Sequence, residues 1–284
     1  MPDALVQLKY GMPPPIYVFL STMVFVFGAC IGSFLNVCIH RIPRDESIVR
    51  PRSRCPGCGH MIAWYDNVPL LSYALLGARC RHCRTPIAFR YWLVEFITAL
   101  CFLLVWLTYG LELRTPVYWL VTGALIAGSF IDLEHMILPD RITIGGIIAG
   151  PLVSLVVPRL HLGCEHPLEA LRASLIGLFV GVGLLLLIAL FGRLIFKKDA
   201  MGMGDVKLLG AIGAFMGMHA VFFTIVVSSL VGSIAGVGLI LAAKKGMQSK
   251  IPYGPYLAIA AMAWFLGGSR LWQAYLQWLR GGVW

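Results

Sequence analysis

The chain has 284 residues, of which 59% are hydrophobic and only 13% are charged. Soluble domains carry about a quarter charged residues, so this composition excludes a large soluble domain and indicates several membrane-spanning segments. The formal net charge is +10. We attribute the excess of Lys and Arg to the basic cytoplasmic loops typical of membrane proteins, and we expect membrane lipid, not nucleic acid, as a partner.

The sequence predicts an all-α polytopic membrane protein with about eight transmembrane helices and a small cytoplasmic zinc-binding loop domain. Since about 20 apolar residues span a bilayer as a helix, each long apolar stretch is read as one span or two. The stretches are 16–39, 92–109, 116–131, 142–157, 170–196, 208–243 and 252–278. The stretch 208–243 is long enough for two spans, which we expect to turn near residues 217–219.

Four segments follow from this pattern. Residues 1–15 are a short proline-containing lead-in, and 16–39 form the first transmembrane helix. That helix is too long for the apolar part of a cleaved signal peptide and lacks a cleavage site, so we expect it to be retained. Residues 40–91 form the one sizeable polar segment, and 92–284 form a membrane-embedded domain.

The distribution of positive charge predicts the orientation. The loops at 40–91, 133–141, 193–207 and 244–251 fall on one side and hold 17 of the 23 Lys and Arg residues. Since positively charged loops stay in the cytoplasm, these loops are predicted to be cytoplasmic. With eight spans, both termini then lie outside.

Four of the eight cysteines form two tight pairs, Cys55/Cys58 and Cys80/Cys83. Two thiolates separated by two residues can bind one tetrahedral ion, and two such pairs complete a structural zinc site. Gly59 suits the turn after the first pair, whereas Arg84 suits the second less well. The alternative is a pair of disulfides or a redox pair, which a reducing cytoplasmic location argues against.

Two acids lie at the ends of apolar stretches, Asp132 after the third span and Asp205 in a Gly-Met-Gly-Asp sequence. Acids at such positions are costly to desolvate and indicate function. Two carboxyl groups that meet there can share one proton, so that one acts as base and the other as acid. Gly202 and Gly204 allow the backbone of a substrate to approach, and Lys207 is a candidate to hold one carboxylate ionised.

Two further acids compete for a role. Asp140 follows Pro139 and is the rival first carboxylate, although the proline favours a loop or an N-cap position. Glu95 lies near the start of the second span and is the candidate for a second, cofactor-binding site. No glycine-rich nucleotide motif identifies the residues of such a site.

From about residue 27 onward the chain resembles the type IV prepilin peptidase / N-methyltransferase family. The resemblance rests on Gly-Ser-Phe-Leu-Asn at 32–36, the cysteine pairs, Arg90-Tyr91 with Glu95, Asp132 to Asp140, and Gly-Met-Gly-Asp-Val-Lys-Leu at 202–208. One departure is the separation of 73 positions between Asp132 and Asp205, which is longer than the family suggests.

This resemblance implies an inner-membrane aspartic endopeptidase with Asp132 and Asp205 as its catalytic pair. The implied substrates are prepilins and pseudopilins, cleaved on the cytoplasmic side after a leader glycine. The implied second activity is methylation of the new N-terminus by S-adenosylmethionine.

Two alternatives stay open at this level. A membrane thiol oxidoreductase would use the two Cys-x-x-Cys pairs and would require a periplasmic loop. A non-enzymatic membrane assembly subunit would tolerate replacement of both aspartates.

Overall fold

The computed structural model describes residues 12–197, 201–243 and 252–281. Most of the predicted lead-in, residues 198–200 and the predicted basic loop at 244–251 lie outside these ranges. The helices in chain order are α1 (Pro14–Arg41), α2 (Leu71–Leu75), α3 (Phe89–Tyr109), α4 (Arg114–His135), α5 (Asp140–Val156), α6 (Pro167–Phe196), α7 (Met203–Ala243), α8 (Gly254–Ala263) and α9 (Ser269–Leu279). Within the described ranges, β structure is limited to two isolated bridges in the loop that precedes α3.

The prediction of an all-α polytopic membrane protein is confirmed. Among the described residues, five helices are long and apolar enough to cross a membrane. They are Pro14–Arg44, Phe89–Tyr109, Arg114–His135, Pro167–Ile195 and Met203–Gly238. Helix α5 has 17 residues, fewer than the length expected of a full span. The number eight therefore stays a prediction.

The chain divides into two compact units, Met1–Ala127 and Gly128–Trp284, with the boundary inside α4. In the first unit α1 and α3 pack as antiparallel neighbours. A Cβ atom at Gly32 would lie 2.6 Å from Cα of Glu95, and one turn further on Asn36 Nδ2 donates to the Tyr91 carbonyl at 2.9 Å. Small residues let membrane helices come into backbone contact, and amides then bond across the interface.

The second unit is organised around the first half of α7, in which residues 208–216 are all buried. Helix α5 contacts this segment on one side, where a Cβ atom at Gly150 would lie 2.6 Å from Cβ of Ala214. Helix α6 contacts it on another, where a Cβ atom at Gly181 would lie 2.6 Å from the Leu209 carbonyl oxygen. The segment is therefore enclosed at backbone distance by two neighbouring helices.

The sequence predicted a turn between two spans near residues 217–219, and the structure has a kink there at Gly217, where φ is 80° and ψ is 176°. This left-handed φ favours glycine. The division of residues 208–243 into two spans stays a prediction. A kink removes helical hydrogen bonds, and the carbonyl of Ala214 instead accepts one from Ser174 Oγ at 2.6 Å. The broken helix is thus stabilised by a side chain of α6.

Two predicted boundaries are wrong. The third span was expected to end at residue 131, but α4 continues to His135, so Asp132 lies within its last turns. The last span was expected to be continuous, but a five-residue π-helical segment, Trp264–Gly268, separates α8 from α9. Gly267 has φ 155° there, a conformation that other residues rarely adopt.

We predict that the packing of α6 against α7 tolerates no methyl group at Gly177. A Cβ atom there would lie 2.7 Å from Cα of Gly217, whereas a Cβ atom at Gly183 on the same helix meets nothing within 4 Å. Gly177→Ala should therefore lower the stability by about 1–3 kcal/mol. Gly183→Ala should be neutral or stabilising by up to about 1 kcal/mol, because alanine is the better helix former. Thermal unfolding of both variants in detergent measures the difference, and equal melting temperatures would contradict the packing.

Candidate functional site

The four paired cysteines come together in the loop between α1 and α3. Their Sγ atoms all lie within 4.8 Å of one another, and the Sγ atoms of Cys55 and Cys83 are 3.7 Å apart. A tetrahedral ion with metal–sulfur bonds of about 2.3 Å places its sulfur ligands about 3.8 Å apart. The predicted cluster is therefore confirmed as one that can hold a metal ion.

The two halves of this cluster are copies of one hairpin. In the first, the Cys55 amide donates to the His60 carbonyl at 2.9 Å, and the Gly59 amide donates to the Cys55 carbonyl at 2.8 Å. In the second, the Cys80 amide donates to the Thr85 carbonyl at 2.9 Å, as the Cys55 amide does to the His60 carbonyl in the first. A β-bridge closes each hairpin, Arg54 with Met61 and Arg79 with Pro86. Each hairpin thus presents two thiols from one tight turn.

The position after the second cysteine of each pair is left-handed in both hairpins. Gly59 has φ 70°, and Arg84 has φ 61° with its amide bonded to the Cys80 carbonyl at 3.0 Å. Arg84 was expected to suit this turn less well than glycine. It nevertheless adopts the same conformation, at the steric cost of a positive φ for a residue with a side chain.

An ion pair ties the segment between the hairpins to the second one. Arg81 forms a two-pronged contact with Asp66, with Nη2 2.6 Å from Oδ1 and Nε 2.8 Å from Oδ2. The Arg81 guanidinium lowers the pKa of the Asp66 carboxyl. The planar guanidinium group of arginine fits a carboxylate in this way. The pair therefore holds the segment that contains Asp66 against the second hairpin.

Asp132 lies near the C-terminal end of α4 and is 6% exposed. Its Oδ2 accepts a hydrogen bond from the amide of Gly254 at 3.0 Å. Gly254 is the first residue of α8, so its N–H has no partner within that helix. The carboxyl group is thereby fixed in a buried position by the start of another helix.

Asp205 lies in the first turn of α7, half-buried. A backbone hydrogen bond from Gly202 reaches its carboxylate, and its charge interacts with that of Asp132. The two predicted carboxyl groups are 73 positions apart in the sequence, and they lie close enough for their charges to interact, one near the end of α4 and the other at the start of α7. Such a pair can hold one proton between two acids.

Leu138 packs beside this pair, in the connection between α4 and α5. A Cβ atom at Gly204 would lie 2.9 Å from Cβ of Leu138, and one at Gly254 would lie 3.4 Å from its Cδ1. Both glycines therefore make room for one leucine side chain. Gly202, by contrast, is exposed, and a Cβ atom there would lie 3.4 Å from Asp205 Oδ2.

Lys207 pairs with the rival acid. Its Nζ lies 2.7 Å from Oδ1 of Asp140, with the side chains 34% and 61% exposed respectively. Asp140 is the first residue of α5 and Pro139 is the N-cap, so Asp140 lies one position inside the helix instead of at the predicted loop or N-cap position. The carboxylate that Lys207 contacts is thus Asp140, at a partly solvated position.

Glu95 belongs to the first unit and connects the loop to α3. Its Oε2 accepts the Leu70 amide at 2.8 Å, and it forms a hydrogen bond with the Ser33 side chain. Leu70 has φ 63°, an uncommon conformation for a residue with a side chain. Glu95 therefore holds the end of the loop in place, and a role in binding a methyl donor stays a prediction.

Sequence reasoning missed Gly254 and Leu138. Gly254 stands in Pro-Tyr-Gly-Pro at 252–255, where two prolines around a glycine indicate a fixed turn at the start of a helix. That pattern was available, but nothing in it indicates which carboxylate the turn approaches.

The fold and these two sites define a polytopic helical membrane protein with a four-cysteine loop and a pair of interacting acids, one buried and one half-buried. Residues 26–109 match the bacterial peptidase A24 N-terminal domain, and residues 119–237 match the type IV leader peptidase family. No solved structure matches the chain.

Curated relatives share the name prepilin leader peptidase/N-methyltransferase. The protein from Aeromonas hydrophila is 38% identical over 96% of this chain and 98% of its own length. The protein from Pseudomonas aeruginosa is 35% identical over 95% of this chain and 97% of its own length. The one from Myxococcus xanthus is 41% identical over 78% of this chain, which covers 64% of that relative. The chain belongs to the type IV leader peptidase family.

We predict that the purified protein carries about one metal ion and that Cys55→Ser removes it, because three sulfurs leave the tetrahedral shell open. Since metal binding and folding of such loops are coupled, the loop should also become sensitive to proteases. Cys30→Ser is the matched control, because Cys30 is an exposed cysteine of α1. Elemental analysis and limited proteolysis report both effects. A cleanly folded, metal-free wild-type preparation would contradict the prediction.

Proposed function

We propose that this chain is a membrane-embedded aspartic endopeptidase that removes the leader peptides of type IV prepilins and pseudopilins. The observation that carries the proposal is the meeting of Asp132 and Asp205 from two helix ends, close enough for their charges to interact. The names of the relatives over nearly the whole chain support the substrate class.

The chemistry follows from a pair that holds one proton. The ionised carboxylate takes a proton from a water molecule, whose oxygen attacks the scissile carbonyl carbon. The protonated partner gives a hydrogen bond and then its proton to the carbonyl oxygen, which yields a tetrahedral diol. One diol proton then returns to the carboxylate that gave up its proton, while the carboxyl group that took its proton from water gives that proton to the leaving nitrogen. The C–N bond breaks, and the pair again holds one proton.

The surrounding residues divide into two roles. Gly202 is exposed beside Asp205, so a substrate strand can approach the acid without meeting a side chain. Gly204 and Lys207 act on the site indirectly. Gly204 packs on Leu138. Lys207 forms an ion pair with Asp140, which we place outside the catalytic pair.

The second activity is methylation of the new N-terminus, which the name shared by the relatives supports. S-adenosylmethionine would supply the methyl group, and the free amine would exchange one proton for it. Glu95 is the candidate residue for this site, because its carboxylate lies where the loop meets α3.

The four-cysteine cluster is proposed to hold a structural zinc ion, bound by Cys55, Cys58, Cys80 and Cys83. A complete set of four thiolate ligands leaves no open position for catalysis. In this assignment residues 40–91 are a zinc-binding domain and residues 92–284 the peptidase domain. Zinc then stabilises the loop and takes no part in hydrolysis.

The other two candidate functions are less well supported. A thiol oxidoreductase needs a disulfide and an electron acceptor, whereas the match to a leader peptidase family covers the region that contains both aspartates. An assembly subunit has no need for two interacting acids at helix ends, because such acids are costly to place in a membrane.

We predict that Asp132→Asn and Asp205→Asn each abolish prepilin cleavage, by about 10³-fold or more, because asparagine cannot exchange a proton. The double variant should be no worse than either single one, since the pair acts as a unit. The wild-type rate should fall on both sides of an optimum pH, because one acid must be ionised and the other protonated. Cleavage of a purified prepilin, followed by mass spectrometry, measures these effects.

Asp140→Asn is the matched control, because it removes a nearby carboxylate that pairs with Lys207 at a partly solvated position. It should keep most of the activity, in line with the small contribution of exposed ion pairs. A dead Asp140→Asn enzyme together with an active Asp132→Asn enzyme would show that the first carboxylate is wrongly assigned. Activity in both aspartate variants would refute the aspartyl mechanism.

We also predict that the loop at 40–91 faces the cytoplasm of the inner membrane, because it holds nine of the positive residues. Single cysteines introduced at exposed positions such as Val49 should react with a membrane-impermeant reagent only after cells are opened. The background protein keeps the four cysteines of the cluster, and only the other cysteines are replaced. Labelling of position 49 from outside intact cells would overturn this orientation.

A further inference from the structure

The hydrogen bond between Gly254 and Asp132 distinguishes the two oxygens of the buried carboxyl group. An amide N–H can only donate, so Oδ2 of Asp132, at 3.0 Å, must be the accepting oxygen of that bond. Because the carbonyl oxygen of a carboxyl group is a better acceptor than its hydroxyl oxygen, this bond favours Oδ1 as the oxygen that carries a proton. One oxygen is engaged by the backbone, and the other is left to exchange protons.

The position of this amide depends on the absence of a side chain. A Cβ atom at residue 254 would lie 2.7 Å from Oδ2 and 3.3 Å from Cγ of Asp132. Leu138 Cδ1 would lie 3.4 Å away, so the added methyl group has little room to shift away from the carboxyl group. Any other residue must displace the carboxyl group or the start of α8.

The turn that carries Gly254 is itself anchored to α7. The hydroxyl of Tyr253 lies 2.7 Å from Oγ of Ser228, in the second half of that helix. The ring of Tyr253 also packs near Gly232, where a Cβ atom would lie 3.9 Å from it. The hydrogen bond between Tyr253 and Ser228 thus holds the residue next to Gly254, and with it the amide that binds Asp132, in position.

We infer that Gly254 is a positioning residue, whose amide holds Asp132 Oδ2 and leaves Oδ1 as the oxygen that exchanges the catalytic proton. Tyr253 supports it through Ser228. This inference rests on the proposed aspartyl mechanism and adds to it a third element, α8, which contributes backbone only.

The test is the kinetics of Gly254→Ala with a purified prepilin. We expect kcat to fall about 100-fold, since a displacement of about 1 Å is enough for such a loss, while KM changes less than about threefold. Gly145→Ala is the matched control, because a Cβ atom at that helical glycine meets nothing within 4 Å. It should keep wild-type kcat and KM.

Tyr253→Phe provides a second, milder variant should Gly254→Ala fail to fold. It should lower kcat about three- to tenfold at constant KM, and adding Ser228→Ala should cause no further loss, because the two groups form one hydrogen bond. Wild-type kcat in a folded Gly254→Ala would overturn the inference. With a folding-defective Gly254→Ala, wild-type kcat in Tyr253→Phe alone would overturn it.

Asp132→Asn, measured in the same assay, separates this inference from the proposed function. If Asp132→Asn is inactive while Gly254→Ala cleaves at the wild-type rate, only the positioning role fails. If Asp132→Asn is active, the aspartyl mechanism fails, and the role of Gly254 fails with it.

Discussion

The second unit depends on backbone contact around residues 208–216 of α7. In a bilayer the hydrophobic effect does not drive helices together, because lipid chains are as apolar as leucine. The attraction must come from close packing. Glycines on α5 and α6 permit such packing, because without side chains they let the helix backbones approach α7. This buried segment begins three residues after Asp205, so the acid stands at the end of a helix that has little freedom to shift.

The two acids meet different electrostatic conditions at their helix ends. Asp205 lies in the first turn of α7, where the positive end of the helix dipole favours a carboxylate. Asp132 lies near the last turn of α4, where the negative end disfavours one. The start of α8 compensates for this by aiming the Gly254 amide at Asp132. Each carboxyl group therefore lies at a helix N-terminus, Asp205 at that of α7 and Asp132 at that of α8. Because Asp132 itself belongs to the end of α4, three helix ends surround the two side chains.

Local patterns allowed much of this to be predicted. The Cys-x-x-Cys spacing predicted the cluster, and the two acids at the ends of apolar stretches predicted the pair whose charges interact. The length of the uncharged stretch at 208–243 predicted an interruption near residues 217–219, where the helix is kinked at Gly217. Each of these signals is contained in a single stretch of the sequence. The partner of Asp132 could not be predicted in this way, because Gly254 is 122 positions away and a backbone N–H carries no residue-type signature.

Two other features of the structure differ from what the sequence predicted. The sequence placed Lys207 two residues from Asp205, which suggested a contact, but these residues do not lie on one face of a helix. The lysine instead reaches Asp140 at the start of α5. The interruption of the last span at Gly267 was missed because two neighbouring glycines in an apolar stretch are also typical of unbroken, closely packed membrane helices.

The loop between α1 and α3 obeys a different constraint. From residue 42 to residue 90 only Cys55 and Ser72 are buried, so this segment has almost no apolar core from which to gain stability. Its order must come from elsewhere, and the two equivalent hairpins place four thiols within one ion's coordination distance. Backbone conformations such as that of Arg84, which are unfavourable by themselves, are maintained when metal–sulfur bonds stabilise the turn. A metal ion bound by these four thiols would take the place of the apolar core in this part of the chain, just as glycine contacts take the place of the hydrophobic effect in the membrane part.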